Sequence, residues 1–200
     1  MSQRLRLGFL ASRNGSSARA IMAAIQSGAL NAEVRLMVSN NRNAGALTFA
    51  AEQGAPALCI PTQADADAAD ETLRQALESA GVDLVILSGY LRRLGPKTLT
   101  RYRNRVLNIH PGPLPAFGGH GMYGRAVHEA VIAAGASESG ACIHVVDEEY
   151  DHGPVIARRS VPVLAGDTAS DLEARVTAIE PGFFVETLQR LSEGDLALPA

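Results

Sequence analysis

The chain has 200 residues, of which 46% are hydrophobic and 20% charged, as expected for a globular protein with a substantial core. Its net charge of −3 gives no basis for binding nucleic acid or an anionic membrane. No stretch reaches the roughly 20 apolar residues of a membrane-spanning helix, and the N-terminus leads into a strand rather than a signal peptide. Cys59 and Cys142 are isolated, without metal or disulfide spacing. We therefore expect a soluble, cytoplasmic, single-domain protein.

The first predicted unit is a strand, a small polar loop and a helix. Leu5–Ala11 is a short apolar run, and apolar residues at helical spacing follow the loop as far as Gly28. We expect Ser16 or Ser17 to cap the helix, which leaves backbone N–H groups free for a phosphate group. The loop lacks the dinucleotide glycine pattern and the nucleotide-binding lysine. A monophosphate site is thus predicted, with a plain capped turn as the alternative.

Further strands and helices alternate along the first half of the chain. The predicted strands are Val34–Ser39, Ala57–Ile60 and Val82–Leu87, and the predicted helices are Ala44–Gln53 and Asp65–Ala80. The nearly unbroken apolar run at Val82–Leu87 is typical of a central parallel strand covered on both faces. This alternation predicts a parallel, Rossmann-like sheet. Ligands bind such sheets beyond the carboxyl ends of the strands.

Val106–Pro115 is the most informative stretch. An apolar strand ends at Ile109, and the prolines that follow forbid its continuation. Asn108 and His110 are two residues apart, so their side chains project to the same side. Both side chains can donate hydrogen bonds above a crevice. A functional site and a plain strand end both fit these residues taken alone.

The second half of the chain predicts a mixed sheet. It contains a glycine-rich loop at Phe117–Gly124, a helix at Arg125–Ala134, strands at Ala141–Val146 and Pro154–Val163, and a closing helix at Ala169–Leu191. The two strands are joined by a short turn and should pair antiparallel. Pro181-Gly182 is expected to bend or interrupt the closing helix.

The turn between those two strands, Asp147–Pro154, is acidic and fits either a solvated hairpin or part of a site. A metal site built from His110, Asp151 and His152 is disfavoured because the usual spacings of metal-binding histidines are absent.

Together these segments resemble the folate-dependent glycinamide ribonucleotide formyltransferases of purine biosynthesis. The motifs that carry the resemblance are Ser12–Ser16, Val38–Asn40, Leu87–Arg92, Asn108–Pro115 and Asp151–Ile156. The Asn-x-His-Pro and Asp-x-Gly-Pro pair is typical of the wider superfamily that uses formyltetrahydrofolate, and the Asn-Gly-Ser loop narrows the resemblance. It implies an α/β fold with a mixed, mostly parallel sheet. Residues 1–200 would form one domain, with a Rossmann-like half at about 4–110 and a folate-site half at about 111–192.

The resemblance also implies the reaction. The amine of glycinamide ribonucleotide would attack the formyl carbon of 10-formyltetrahydrofolate, the co-substrate, without a metal or a covalent enzyme intermediate. Asn108 and His110 would stabilise the oxyanion. Asp151 would orient His110, keep it protonated and take the amine's proton, through water.

The remaining roles follow by position in the resemblance. Gly15, Ser16 and Ser17 would bind the acceptor's phosphate, and Glu180 would lie near its ribose and amine. The residues expected at the folate are Leu91, Arg92, Arg93, Leu94, Asp147, Glu148, Glu149 and Tyr150.

Several features depart from the family pattern, among them the following three. The loop Ala116–Gly124 is longer and richer in glycine than in the commonest members. The arginine that some relatives direct at the folate glutamate tail is not evident near Ala64–Asp70. His152 stands where glycine is usual, and it would either perturb Asp151 or point to solvent.

Other functions remain to be weighed. A formyltetrahydrofolate hydrolase would use the same three residues with water as acceptor, but such enzymes carry an N-terminal regulatory domain, and residue 5 already begins the first strand here. Methionyl-tRNA and sugar-nucleotide formyltransferases carry domains that 200 residues cannot hold. A non-catalytic folate-binding or nucleotide-binding module would not need Asn108, His110 and Asp151 together. The expected partners are small-molecule substrates, and the chain would act as a monomer or homodimer.

Overall fold

The computed structural model describes residues 4–200, so Met1–Gln3, which precede the first strand, lie outside the described residues. The elements are β1 (Leu5–Leu10), α1 (Ser16–Gln26), β2 (Ala32–Ser39), α2 (Gly45–Glu52), β3 (Ala57–Cys59), α3 (Ala66–Ser79), β4 (Leu84–Leu87), α4 (Pro96–Arg101), β5 (Val106–His110), α5 (Arg125–Ala133), β6 (Glu138–Val145), β7 (Val155–Pro162) and α6 (Ala169–Glu193). Within residues 4–200, no helix is long and apolar enough to cross a membrane.

The seven strands form one sheet in the order β3-β2-β1-β4-β5-β6-β7. The pairs from β3 to β5 are parallel, whereas β6 and β7 are added antiparallel. The chain moves outward from β1 to β3 and then returns to place β4 on the other side of β1. Crevices form where parallel strands diverge in this way. The predicted mixed, mostly parallel sheet is confirmed.

Alternating residues of the central strands contribute side chains to two apolar cores, one on each face of the sheet. In β4, Leu84 and Ile86 belong to the core under α1, α2, α5 and α6. Val85 and Leu87 belong to the core under α3 and α4. All four side chains are buried, as the unbroken apolar run predicts for a covered parallel strand.

The predicted strands and helices are present with ends shifted by no more than three residues, and two features differ from expectation. α4 was not predicted, because it has only six residues and its capping group comes from a distant part of the chain. The predicted interruption at Pro181-Gly182 is wrong, because α6 continues through both residues to Glu193. α6 begins with a capping box between Thr168 and Asp171, which fixes its start but not its length.

Candidate active site

Asn108 and His110 lie at the carboxyl end of β5, the strand on which parallel pairing gives way to antiparallel pairing. β6 places His144 directly opposite Asn108 and Cys142 opposite His110. The Asn108 side-chain amide lies 3.1 Å from Nε2 of His144. Side chains directly opposite each other on neighbouring strands share one face of a sheet. The sheet register therefore brings His144 into a site that the sequence had assigned to Asn108, His110 and Asp151.

Asp151 completes the cluster from the loop between β6 and β7. Its Oδ2 lies 3.4 Å from Nδ1 of His110, and its Oδ1 lies 3.5 Å from Nε2 of His144. The backbone N–H of Gly119, in the glycine-rich loop, donates to Oδ2 at 3.1 Å. Burial would raise the pKa of the Asp151 carboxyl, but the contacts with His110, His144 and Gly119 lower it well below its usual range. Asp151 is thus an ionised carboxylate between two buried imidazoles.

His110 is held through both ring nitrogens. Nε2 lies 2.7 Å from the carbonyl oxygen of Phe117, which can only accept a hydrogen bond. Nδ1 faces the ionised carboxylate of Asp151. Each ring nitrogen therefore faces an oxygen that can accept a hydrogen bond. A ligand oxygen that takes a hydrogen bond from Nε2 must therefore take the place of the Phe117 carbonyl.

His144 was not among the sequence-predicted residues. It is a buried polar side chain within the apolar run Ala141–Val146, and its Nδ1 donates to the carbonyl of Val145 at 3.0 Å. The polar residue inside an apolar run was the available signal. Its partner could not be read from the chain, because the pairing with Asn108 depends on the register of β5 and β6.

The predicted phosphate loop lies at the start of α1, but its capping differs from expectation. Gly15 is the N-cap residue in a left-handed conformation, with φ 63°, and no side chain caps the helix. The expected cap by Ser16 or Ser17 is therefore wrong, because both residues are already inside the helix. The N–H of Ala18 donates to Oγ of Ser88 at 3.0 Å. Across residues 4–200, no group accepts a hydrogen bond from the N–H of Gly15, Ser16 or Ser17.

Glu180 lies on α6, close enough to His110 for an electrostatic interaction. Its side chain is half-buried, and burial raises the pKa of the Glu180 carboxyl to about 7, against a smaller opposing effect of His110. In the part of the chain that the structure describes, no donor or cation pairs with this carboxyl. A carboxyl of this kind is suited to hold a polar or cationic ligand group.

The two segments predicted to bind folate are joined to each other. The Arg93 guanidinium donates to the carbonyl of Glu148 and lies 6.0 Å from the ring centroid of Tyr150. Leu91 and Tyr150 are 54% and 53% exposed, as expected for side chains that contact a bound ligand. Leu94, in contrast, is buried. Arg93 therefore connects segments 91–94 and 147–150, the two walls of the predicted folate site.

The sequence left open whether His152 perturbs Asp151 or points to solvent, and its contacts distinguish the two. Nδ1 of His152 donates to the carboxylate of Asp147 at 2.8 Å, and this contact raises the pKa of His152. The imidazole is largely exposed and bonds Asp147 rather than Asp151. Within residues 4–200, no group of three or more His, Cys, Asp or Glu side chains is arranged to hold a metal ion.

Comparison with known proteins gives a consistent set of similarities. The profile of the formyl transferase family matches residues 5–188. The chain is 40% identical over 193 residues to the chloroplastic phosphoribosylglycinamide formyltransferase of Vigna unguiculata, with 96% of this chain and 62% of that protein covered. It is 34% identical over 191 residues to the phosphoribosylglycinamide formyltransferase of Escherichia coli, with 94% and 88% covered.

A solved structure gives the same result. The crystal structure of glycinamide ribonucleotide transformylase 1 from Symbiobacterium toebii matches with a TM-score of 0.87 and 34% identity, over 98% of this chain and 92% of that one. The chain spans less than two thirds of the length of the chloroplastic relatives.

Proposed function

Since the chain belongs to the formyl transferase family, we propose that it transfers the formyl group of 10-formyltetrahydrofolate to the amine of glycinamide ribonucleotide, a step of purine biosynthesis. The observation that carries this proposal is the buried cluster of Asn108, His110, His144 and Asp151 at the carboxyl end of β5. Similarity to named formyltransferases over most of the chain supports the choice of acceptor.

The geometry accounts for the chemistry of the proposed step. Attack of an amine on the formyl carbon places negative charge on the formyl oxygen, and each preorganised donor to such an oxygen is worth about 3 kcal/mol. Asn108 and His110 are the donors. The Asp151 carboxylate stabilises positive charge on His110, which makes the imidazole a stronger donor. The formyl oxygen takes the position of the Phe117 carbonyl at Nε2 of His110.

Proton transfer is also required, because the attacking amine loses a proton, and the folate nitrogen gains one when its bond to the formyl carbon breaks and tetrahydrofolate leaves. We assign the amine's proton to Asp151 through a water molecule, as the family resemblance implied. The lowered pKa of Asp151 makes it a weak base. Its larger contribution is therefore to hold the charge on His110.

Substrate placement follows from the free groups around the cluster. The N–H groups of Gly15, Ser16 and Ser17, at the positive end of α1, bind the acceptor's phosphate. Glu180 binds the acceptor's ribose and amine. The folate ring lies between the walls formed by 91–94 and 147–150, which Arg93 connects.

The co-substrate, the oligomeric state and the cellular compartment are part of the same proposal. The reaction uses formylated folate as a co-substrate and needs no metal. One formyltransferase domain would act as a monomer or homodimer in the cytoplasm, on small molecules alone.

The decisive measurement is release of tetrahydrofolate from 10-formyltetrahydrofolate by the purified protein, with and without glycinamide ribonucleotide. Release that requires the acceptor supports the transferase. Release without the acceptor would identify a hydrolase, and no release under either condition would contradict the proposal.

The same assay tests the role of His110. His110→Ala should lower kcat by at least about 1000-fold, because it removes an oxyanion donor together with its charge. Folate binding, followed by fluorescence quenching, should stay within a few-fold of the wild type, and circular dichroism should be unchanged. Near-normal turnover by this variant would contradict the assigned mechanism.

A further inference from the structure

The loop before α1 is held by the hydrogen bonds of three successive carbonyl groups. The Arg13 carbonyl accepts from the N–H of Ala46, near the start of α2, at 3.0 Å. The Gly15 carbonyl accepts from the N–H of Arg19, in the first turn of α1, at 2.9 Å. The Asn14 carbonyl, between them, accepts from Nε of the Arg19 side chain at 2.8 Å. The middle carbonyl is therefore held by a side chain, whereas its two neighbours are held by the backbone.

The guanidinium of Arg19 connects this loop to α2. Its Nη2 donates to the carbonyl of Gly45 at 3.1 Å, and its Cζ lies 4.3 Å from the ring centroid of Phe49. Gly45 and Phe49 are both residues of α2. A Cβ added at Gly45 would lie 2.6 Å from Oδ1 of Asn14, so the loop and the helix pack closely. The half-buried guanidinium is thus oriented by two carbonyls and an aromatic ring.

The bond from Arg19 also determines where a neighbouring N–H group points. In a trans peptide, the carbonyl of one residue and the N–H of the next point in opposite directions. The Asn14 carbonyl and the Gly15 N–H belong to the same peptide, so Arg19 directs this N–H away from itself. Gly15 has a φ of 63°, and glycine adopts either sign of φ with little cost. A half-turn of the peptide would present an oxygen in place of the N–H, and oxygen does not bind an anion.

We propose that Arg19 is a positioning residue for the acceptor, which keeps the Gly15 N–H directed at the acceptor's phosphate. This assignment rests on the proposed function, in which the N–H groups of Gly15, Ser16 and Ser17 bind that phosphate. The last two of these N–H groups belong to residues of α1, so the helix orients them. Arg19 acts through the Asn14–Gly15 peptide and not by contact with the phosphate.

Two substitutions separate the hydrogen bond of Arg19 from its charge. Arg19→Met removes every donor and keeps an unbranched side chain beside Phe49, whereas Arg19→Gln keeps an N–H donor without the charge. Arg35→Met is the control, because Nε of Arg35 donates to the Ala80 carbonyl at 2.6 Å, away from the loop. Circular dichroism should be the same for the wild type and the three variants.

The first test uses residual dipolar couplings of the unliganded proteins, which report the direction of the Gly15 N–H bond. We expect the wild type, Arg19→Gln and Arg35→Met to share the direction seen in the structure. Arg19→Met should give a different or averaged coupling at Gly15, with couplings in the strands unchanged. An unchanged Gly15 coupling in Arg19→Met would overturn the proposal.

The second test titrates the same four proteins with ribose 5-phosphate and follows the amide signals of Gly15 and Ser16. The Kd should rise at least about fivefold in Arg19→Met and stay within about twofold of the wild type in Arg19→Gln and Arg35→Met. Equal weakening in Arg19→Gln and Arg19→Met, with the Gly15 N–H of Arg19→Gln in its wild-type direction, would overturn the proposal in favour of an effect of charge.

The third test measures formyl transfer. In Arg19→Met, KM for glycinamide ribonucleotide should rise at least about fivefold, while kcat and KM for 10-formyltetrahydrofolate stay within about twofold, because only binding of the acceptor changes. A general loss, with kcat and both KM values affected alike, would overturn the positioning role. Arg19-dependent binding of ribose 5-phosphate by a wild-type protein without transferase activity would support the role of Arg19 and refute the proposed function.

Discussion

Asp151 illustrates how single residues of this site are held in place by the fold. Its backbone has a φ of 55°, a left-handed conformation that side chains other than Asn and Asp seldom adopt. In that conformation the carboxylate reaches His110 and His144. The contact with the Gly119 N–H holds it there. The local sequence is thus compatible with this geometry, but the surrounding contacts determine it.

Because the Glu180 carboxyl is partly buried, we expect the free energy of unfolding to depend on pH. Because the pKa of this carboxyl is raised from 4.5 to about 7, the folded protein binds its proton more tightly than the unfolded chain does. The stability that this group contributes is present below pH 4.5 and is lost as pH rises to about 7. Glu180→Gln cannot ionise. It should therefore unfold with nearly the wild-type free energy at pH 4.5 and be more stable by up to about 3 kcal/mol at pH 8.

Urea denaturation of both proteins at pH 4.5, 6 and 8 measures this difference. Glu186→Gln, an exposed position on the same helix, serves as the control and should show no comparable pH-dependent gain. A constant difference between Glu180→Gln and the wild type across this pH range would contradict the raised pKa.

At the scale of elements, the short helix α4 depends on one distant side chain. The buried Asp70 carboxylate, on α3, accepts hydrogen bonds from the N–H groups of Lys97 and Thr98 and from the Thr98 hydroxyl. α4 follows directly after the proposed folate wall 91–94. Asp70→Ala should therefore lower the free energy of unfolding by about 3 kcal/mol, because it leaves several buried donors without an acceptor.

Asp65→Ala provides the comparison, since Asp65 caps α3 through a single exposed bond to the Ala68 N–H. Its loss should cost about 1 kcal/mol. Asp70→Ala should also raise KM for the folate more than KM for the acceptor. Segment 91–94 directly precedes α4, and the substitution removes the hydrogen bonds that hold the start of α4 in place. Equal costs of the two substitutions in urea denaturation would contradict this role of Asp70.

The elements also show what the sequence could predict. The βαβ units follow from local apolar spacing, so strands such as β4 were predicted within two residues. α4 was missed because Asp70 lies 28 residues before the Thr98 that it caps. The cap of α1 was predicted wrongly because Gly15, which can adopt a left-handed φ, ends the loop before either serine can do so. His144 was missed because its role depends on strand register.

At the scale of the whole molecule, the site depends on the join between β6 and β7. Gly153 packs so closely that a Cβ added there would overlap the carbonyl oxygen of Val145. Gly153→Ala should therefore push β7 away from β6, move Asp151 in the same loop, and destabilise the protein by about 3 kcal/mol. Turnover should fall further than stability alone explains.

Gly166→Ala is the matched control, because Gly166 has open space around it and only a left-handed φ of 85° to strain a side chain. Its cost should be about 1 kcal/mol, without a change in kcat. Thermal unfolding and initial rates of both variants decide the matter. Similar kcat values in the two would show that Asp151 does not depend on this close contact.

The placement of the cluster also sets an order of events when the chain is synthesised. The strands that precede the proposed phosphate loop and carry Asn108 are synthesised first. Asp151 follows His110 by 41 residues. At about 5 to 20 residues per second, a ribosome needs roughly 2 to 8 s to add that segment. During this interval strands β1–β5 have been synthesised, whereas β6 and β7 are still incomplete. A nascent chain stalled after β5 therefore carries the loop proposed to hold a substrate's phosphate before it carries the carboxylate on which the chemistry relies.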